Sequence, residues 1–188
     1  HDVLAAGGEL VHAGVGVAVG NEDLTGIIHR DRSDLTAVKS AMLDTTNPDN
    51  TQGGIADAMR GADVFIGLSA ADAVTPEMVS SMAKDSIVFA MANPIPEIWP
   101  EDARAAGAAV VGTGRSDFPN QINNSLVFPG VFRGALDSHA TRVTTSMKLA
   151  AANALAALVK EPTRENVIPW SLDREVARTV AQAVSEAA

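Results

Sequence analysis

Apolar and polar positions alternate in short blocks through the middle of the chain. "ADVFIGLS" (62–69) is a run of aliphatic, aromatic and β-branched residues between turn-formers, the pattern of a buried strand. "TPEMVSSMAK" (75–84) reads as a helix: Thr75 suits the cap and Pro76 the first position, and Met78, Val79 and Met82 share one face. "SIVFAMA" (86–92) repeats the strand pattern. "WPEDARAAG" (99–107) repeats the short helix, with Pro near its start and Gly at its stop, and "AAVVGTG" (108–114) is a third strand. Strand–helix units this short predict a parallel sheet with right-handed crossovers, an α/β architecture with flanking helices.

Upstream the pattern is weaker. "GVGVAVG" (14–20) reads as a strand diluted by glycine, "GIIHR" (26–30) as a short apolar piece and "LTAVKSAML" (35–43) as a helix. "TTNPDNTQGG" (45–54) is a polar loop, and "IADAMRG" (55–61) a short helix that stops at Gly61. Downstream the periodicity is helical throughout. "NNSLVFPGVFRGALDSHA" (123–140) is apolar and broken at Pro129-Gly130. "TTSMKLAAANALAALVK" (144–160) is a helix with Leu149, Ala152, Leu155, Ala156 and Val159 on one stripe. "LDREVARTVAQAVSEAA" (172–188) follows a cap-like Ser171 and has an acidic first turn. No repeat or linker divides the chain, which reads as one domain or domain fragment, with 1–122 a parallel-sheet α/β core and 123–188 C-terminal helices.

Composition narrows the function classes. The chain is 46% apolar and 20% charged, an ordinary globular mixture. It has no cysteine, which removes disulfides, thiolate metal sites and a catalytic thiol. The net charge of −9, with no basic stripe, argues against a nucleic-acid partner. No apolar run is long enough for a membrane helix, and no signal peptide is visible, so no membrane association and a cytoplasmic location are expected. Tyrosine is absent and lysine occurs at four positions, so chemistry that needs a Tyr acid or a particular Lys base must draw on another part of the molecule.

In an open parallel sheet, ligands bind beyond the carboxyl ends of the strands. Three loops leave those ends: "GLSAADAV" (67–74), "NPIPE" (93–97) and "GRSDFPNQINN" (114–124). All three should lie along one edge. Gly67, Ser69 and Ala70 suit either a tight strand–helix turn or close backbone approach to a nucleotide. Asn93 suits either a turn before Pro94 or a ligand contact. The amides of 114–124 outnumber what one helix cap at Asn123 or Asn124 requires, which favours ligand binding there. Arg115-Ser116-Asp117 reads as a local salt-linked turn rather than an anion contact. Glu22-Asp23 lacks a third metal ligand, the histidines at 1, 12, 29 and 139 lack ligand spacing, and Ser125 lacks a nucleophile-elbow frame. No Gly-x-Gly-x-x-Gly phosphate loop follows a strand.

The stretches "ANPIPEI", "GRSDFPNQINN" and "FPGVFRGALD", in that order and spacing, resemble the C-terminal, NAD(P)-binding domain of bacterial malic enzymes. The resemblance runs from about Gly26 to the end, with "IIHRDRSDL" and "VIPWSLD" as weaker matches. It implies a Rossmann-like sheet lacking its first glycine-rich βα unit, and oxidative decarboxylation of malate to pyruvate and CO2. It also implies NAD or NADP as cofactor and a divalent cation, Mg2+ or Mn2+; the sheet edge left bare by the missing unit leads one to expect a homo-oligomer, a dimer, that covers it. Asn93 matches a family asparagine that contacts nicotinamide and substrate. Asn123 and Asn124 match a pair of which one reaches the substrate carboxylate. Gly67, Ser69 and Ala70, on the loop that leaves the first of the three strands, are expected to bind that cofactor. The family's catalytic Tyr and Lys and its metal carboxylates belong to the preceding domain, so no catalytic or metal residue is expected in this chain. The competing expectation is a non-catalytic α/β binding or assembly module.

Overall fold

A three-stranded parallel sheet organises the first half of the computed structural model, which describes residues 26–188. The stretch 14–20 and Glu22-Asp23 lie outside the described residues. The chain divides into two units, one ending at Gly114 and the other running from Arg115 to Ala188.

In the first unit α1 (Ala37–Met42) and α2 (Ile55–Met59) precede β1 (Val64–Gly67), α3 (Pro76–Ser80), β2 (Ile87–Ala90), α4 (Pro100–Ala105) and β3 (Val110–Thr113). The sheet order is β1-β2-β3, with Val64 beside Ile87 and Ile87 beside Val110. Among the described residues of this unit, each predicted strand and helix forms, shortened at its ends. The Thr75 hydroxyl accepts from the Met78 N–H at 3.4 Å and Pro76 opens α3, as the sequence leads one to expect. Phe65, Val79, Met82, Val88, Ala103 and Val111 form the buried core.

β1 departs from the doubly buried strand pattern. Phe65 and Gly67 point inward, whereas Val64 and Ile66 are 43% and 54% exposed. Among the described elements of this unit β1 packs chiefly on β2. "GIIHR" forms no regular element, yet Ile27 and Ile28 are buried, and Ile27 N–H donates to Gly53 O at 2.8 Å. The polar loop 45–54 folds back on this piece. Asn47 donates to Ile28 O at 2.9 Å, and the Arg30 N–H donates to Asn50 Oδ1 at 2.7 Å.

The second unit carries a 3-10 turn (Asn124–Leu126), α5 (Phe128–Asp137), α6 (Thr145–Ala157) and α7 (Arg174–Glu186). Leu126, Met147, Ala151, Val176, Val180 and Val184 make its core. Three expectations are corrected. Pro129 does not interrupt a helix: it sits in the first turn of α5, where its missing N–H costs no bond. The buried stripe of α6 is Met147 and Ala151, continued by half-buried Leu155 and Leu158, while Leu149 is exposed. In an alanine-rich helix several faces are nearly equivalent by hydropathy, and the larger Met147 settles the register. Finally, Asp173, not Ser171, caps α7 by accepting from Glu175 N–H at 2.9 Å.

α5 and α7 approach closely because α5 carries glycine where they cross. A Cβ on Gly130 would lie 2.6 Å from Val180 Cβ, and one on Gly134 would lie 2.4 Å from the Ala181 carbonyl oxygen.

Candidate functional site

The parallel register aligns Gly67, Ala90 and Thr113 at the carboxyl edge of the sheet, so the loops that follow them leave from the same side. The ladder continues one bond past β2, where Met91 N–H donates to Gly67 O at 3.0 Å. Beyond that point the backbone has no strand partner. Its amides are satisfied instead by Glu97, whose side chain is fully buried. Oε1 accepts from Ser69 N–H at 2.7 Å and from the Ser69 hydroxyl at 3.4 Å, and Oε2 accepts from Ala92 N–H at 3.0 Å. The main chain adds two ties: Asp72 N–H donates to Pro96 O at 3.1 Å and Val74 N–H to Glu97 O at 2.9 Å. The segment 96–97 therefore stitches the loop after β1 to the loop after β2.

Gly67 is explained by this arrangement. A Cβ there would sit 2.6 Å from Glu97 Cδ and 2.8 Å from Phe65 Cε1, so only glycine leaves room for the carboxylate. Ser69, Ala70 and Asn93 are exposed on the two loops. The Asn93–Pro94 peptide is cis. Among the described residues the Ala70 and Ala71 amides have no hydrogen-bond acceptor. The structure thus brings Gly67, Ser69, Ala70 and Asn93 into neighbouring loops. Glu97 was within the expected loop 93–97 but was not singled out. The signal was a lone carboxylate inside an apolar, proline-rich stretch, "NPIPEIW".

The amide-rich stretch lies in the second unit, and most of its amides serve that unit. Asn120 is buried; it donates to Arg164 O at 2.9 Å and accepts from Val167 N–H at 2.9 Å. Gln121 accepts from the Ser171 hydroxyl at 2.7 Å, which is what Ser171 does in place of capping α7. Asn123 Oδ1 accepts from Ser125 N–H at 2.9 Å and so caps the 3-10 turn. Asn124 is exposed. Arg115 and Asp117 form the local salt-linked turn, with two bonds of 2.9 and 2.8 Å, and Arg115 also lies 5.9 Å from the Phe118 ring centre. The pairing holds the Asp117 carboxyl below its ordinary range and raises Arg115. In the first unit, hydrogen bonding from Arg32 lowers Asp34 to about 2. Glu77 is lowered chiefly by the Thr75 hydroxyl. No group of three or more His, Asp or Glu side chains among the described residues is placed to hold a metal ion. Among the same residues no helix is long and apolar enough to cross a membrane.

A parallel sheet with flanking helices and loops leaving its carboxyl edge is the Rossmann-like class of nucleotide-binding domain. Residues 17–188 match the family model described as the malic enzyme, NAD binding domain, and the chain belongs to that family. It is 56% identical over 169 residues to the bifunctional malic/malolactic enzyme of Bacillus subtilis, covering 88% of this chain and 41% of that protein. It is 42% identical over 183 residues to an NADP-dependent malic enzyme of Halomonas elongata, covering 88% of this chain and 42% of that protein. Among solved structures it superposes with a TM-score of 0.82 on the NAD-dependent malic enzyme of Thermotoga maritima. The two are 40% identical over 87% of this chain and 44% of that one. The chain spans about two fifths of the length of these relatives.

Proposed function

We propose that this chain holds the nicotinamide dinucleotide, NAD or NADP, in an enzyme that oxidatively decarboxylates malate to pyruvate and CO2. The dinucleotide supplies the hydride acceptor. Gly67, Ser69 and Ala70 line the cofactor side, with the Ala70 and Ala71 amides as donors to its polar groups. Asn93 serves both cofactor and substrate, and Asn123 and Asn124 serve the malate carboxylates. A primary amide suits a dianionic substrate, because it donates to a carboxylate and accepts from a hydroxyl without adding charge. The Asn123 oxygen accepts from Ser125 N–H within its own turn.

The observation that carries this reading is the family match over 17–188, joined to a sheet edge whose two tied loops present exposed small residues and an asparagine. The divalent cation, Mg2+ or Mn2+, finds no ligand set among the described residues. A cytoplasmic homodimer completes the proposal. The test is malate-dependent reduction of NAD or NADP by the complete gene product, followed by absorbance, with pyruvate measured as product. Activity with malate and either dinucleotide is the expected result, and its absence with both overturns the reading in favour of a non-catalytic α/β module.

A further inference from the structure

We propose that Glu97 is a positioning residue for the dinucleotide: one buried carboxylate sets the spacing of the two strand-end loops that meet the cofactor. The inference rests on the reading of those loops as the dinucleotide site. Ser69 and Ala92 lie two residues past the last paired positions, Gly67 and Ala90, so no neighbouring strand takes their amides. A buried N–H without an acceptor is costly, and one side chain with two acceptor oxygens relieves both. Glutamate meets that need; glutamine offers one acceptor and one donor, and an apolar residue offers neither.

Burial of a carboxylate is tolerated only when its oxygens are well hydrogen-bonded. Glu97 has three donors, all from the two loops, and forms no ion pair among the described residues. It is therefore not there to neutralise a cation. Nor does it hold the unit's core, which is closed by the β ladder and the apolar cluster around Val88 and Val111. Its bonds act beyond the ladder, on backbone that leads directly into Ala70 and Asn93. Full burial keeps its side chain from the ligand, so its influence passes through Ser69 and Ala92. Gly67 supports the assignment, since any Cβ there would displace the carboxylate.

The test uses the complete gene product and NADH and NADPH as probes. Glu97→Gln keeps the volume but turns an N–H2 group toward one of the two backbone N–H groups. Its Kd for the dinucleotide should rise roughly ten- to a hundredfold. Val79→Ala empties buried space in the apolar core and removes none of the Glu97 hydrogen bonds, so it serves as a stability control. It should lower the melting temperature with Kd within about twofold of the parent. Glu97→Asp keeps both acceptors on a shorter stem and should fall between the parent and Glu97→Gln. If Glu97→Gln does not fold, the Asp variant carries the comparison. A glutamine or aspartate variant that binds as tightly as the parent overturns the proposal. So does a Val79→Ala variant that loses the same affinity, because the effect is then one of stability alone. A parent protein that binds neither dinucleotide removes the site reading and the proposal together, a result distinct from a parent and variant that bind alike.

Discussion

Asn124 and Asn123 occupy adjacent positions with different duties. Asn124 is exposed and caps nothing, so Asn124→Ala in the complete gene product should lower kcat/KM for malate by roughly ten- to a hundredfold, from the loss of a bond to a charged group. Its melting temperature should stay put. Asn123→Ala should show a kinetic loss and, in addition, about 1 kcal/mol of lost stability from the missing cap. Unchanged kinetics in both variants, beside a lowered melting temperature in the second, would leave the pair as turn-formers. A second residue-scale consequence concerns acid. Asp34 titrates near 2 when folded, against an ordinary 3.8, so its contribution is complete above the ordinary value and is lost as pH falls toward about 2. Asp117 acts in the same direction. Stability to urea should therefore decline across that acid window, and Asp34→Asn should flatten the decline; an unaltered slope would show that the Arg32 contact contributes nothing measurable. Single residues were the least legible part of the sequence. The weight of Glu97 depends on partners 28 positions away at Ser69 and five away at Ala92, and neither separation repeats in any pattern. The abundance of amides in 114–124 pointed to a ligand, yet Asn120, Gln121 and the oxygen of Asn123 are consumed within their own unit.

Elements were far more legible, because each strand and helix advertises a period. All three strands and the helices between them lie inside the predicted windows. What the period did not reveal is how much of each face is covered. Val64 and Ile66 read as core residues and are exposed, because burial depends on a second layer and not on the strand itself. The α6 stripe failed for a related reason: alanine marks no side, and packing against α7 chose the face with Met147. The close crossing of α5 and α7 gives the element-scale prediction. Alanine is the better helix former by about 1 kcal/mol, yet Gly134→Ala should destabilise by about 1–3 kcal/mol, since its Cβ meets the Ala181 carbonyl and Val184. Urea denaturation of the variant measures this, and a gain in stability would mean that the helices separate freely.

Across the whole molecule, the chain has a dinucleotide-type sheet, no tyrosine, and no metal-ligand set among the described residues. Loss of a general acid alone costs about 10²–10⁴-fold in rate. The 188-residue chain assayed by itself should accordingly form no NADH or NADPH from malate, while the complete gene product should; turnover by the short chain would overturn this expectation. The stacked rings of Phe128 and Phe132, 5.6 Å apart, continue into Leu136 along one side of α5, and these three side chains are 50%, 57% and 73% exposed. Fluorescent dyes that light up on greasy surfaces are routinely taken as reporters of loosened, partly folded states. For this chain such a signal has a source in the ordered helix itself. Brightness in a dye assay then reports a native stripe, and a judgement of fold quality has to come from a cooperative melting transition instead.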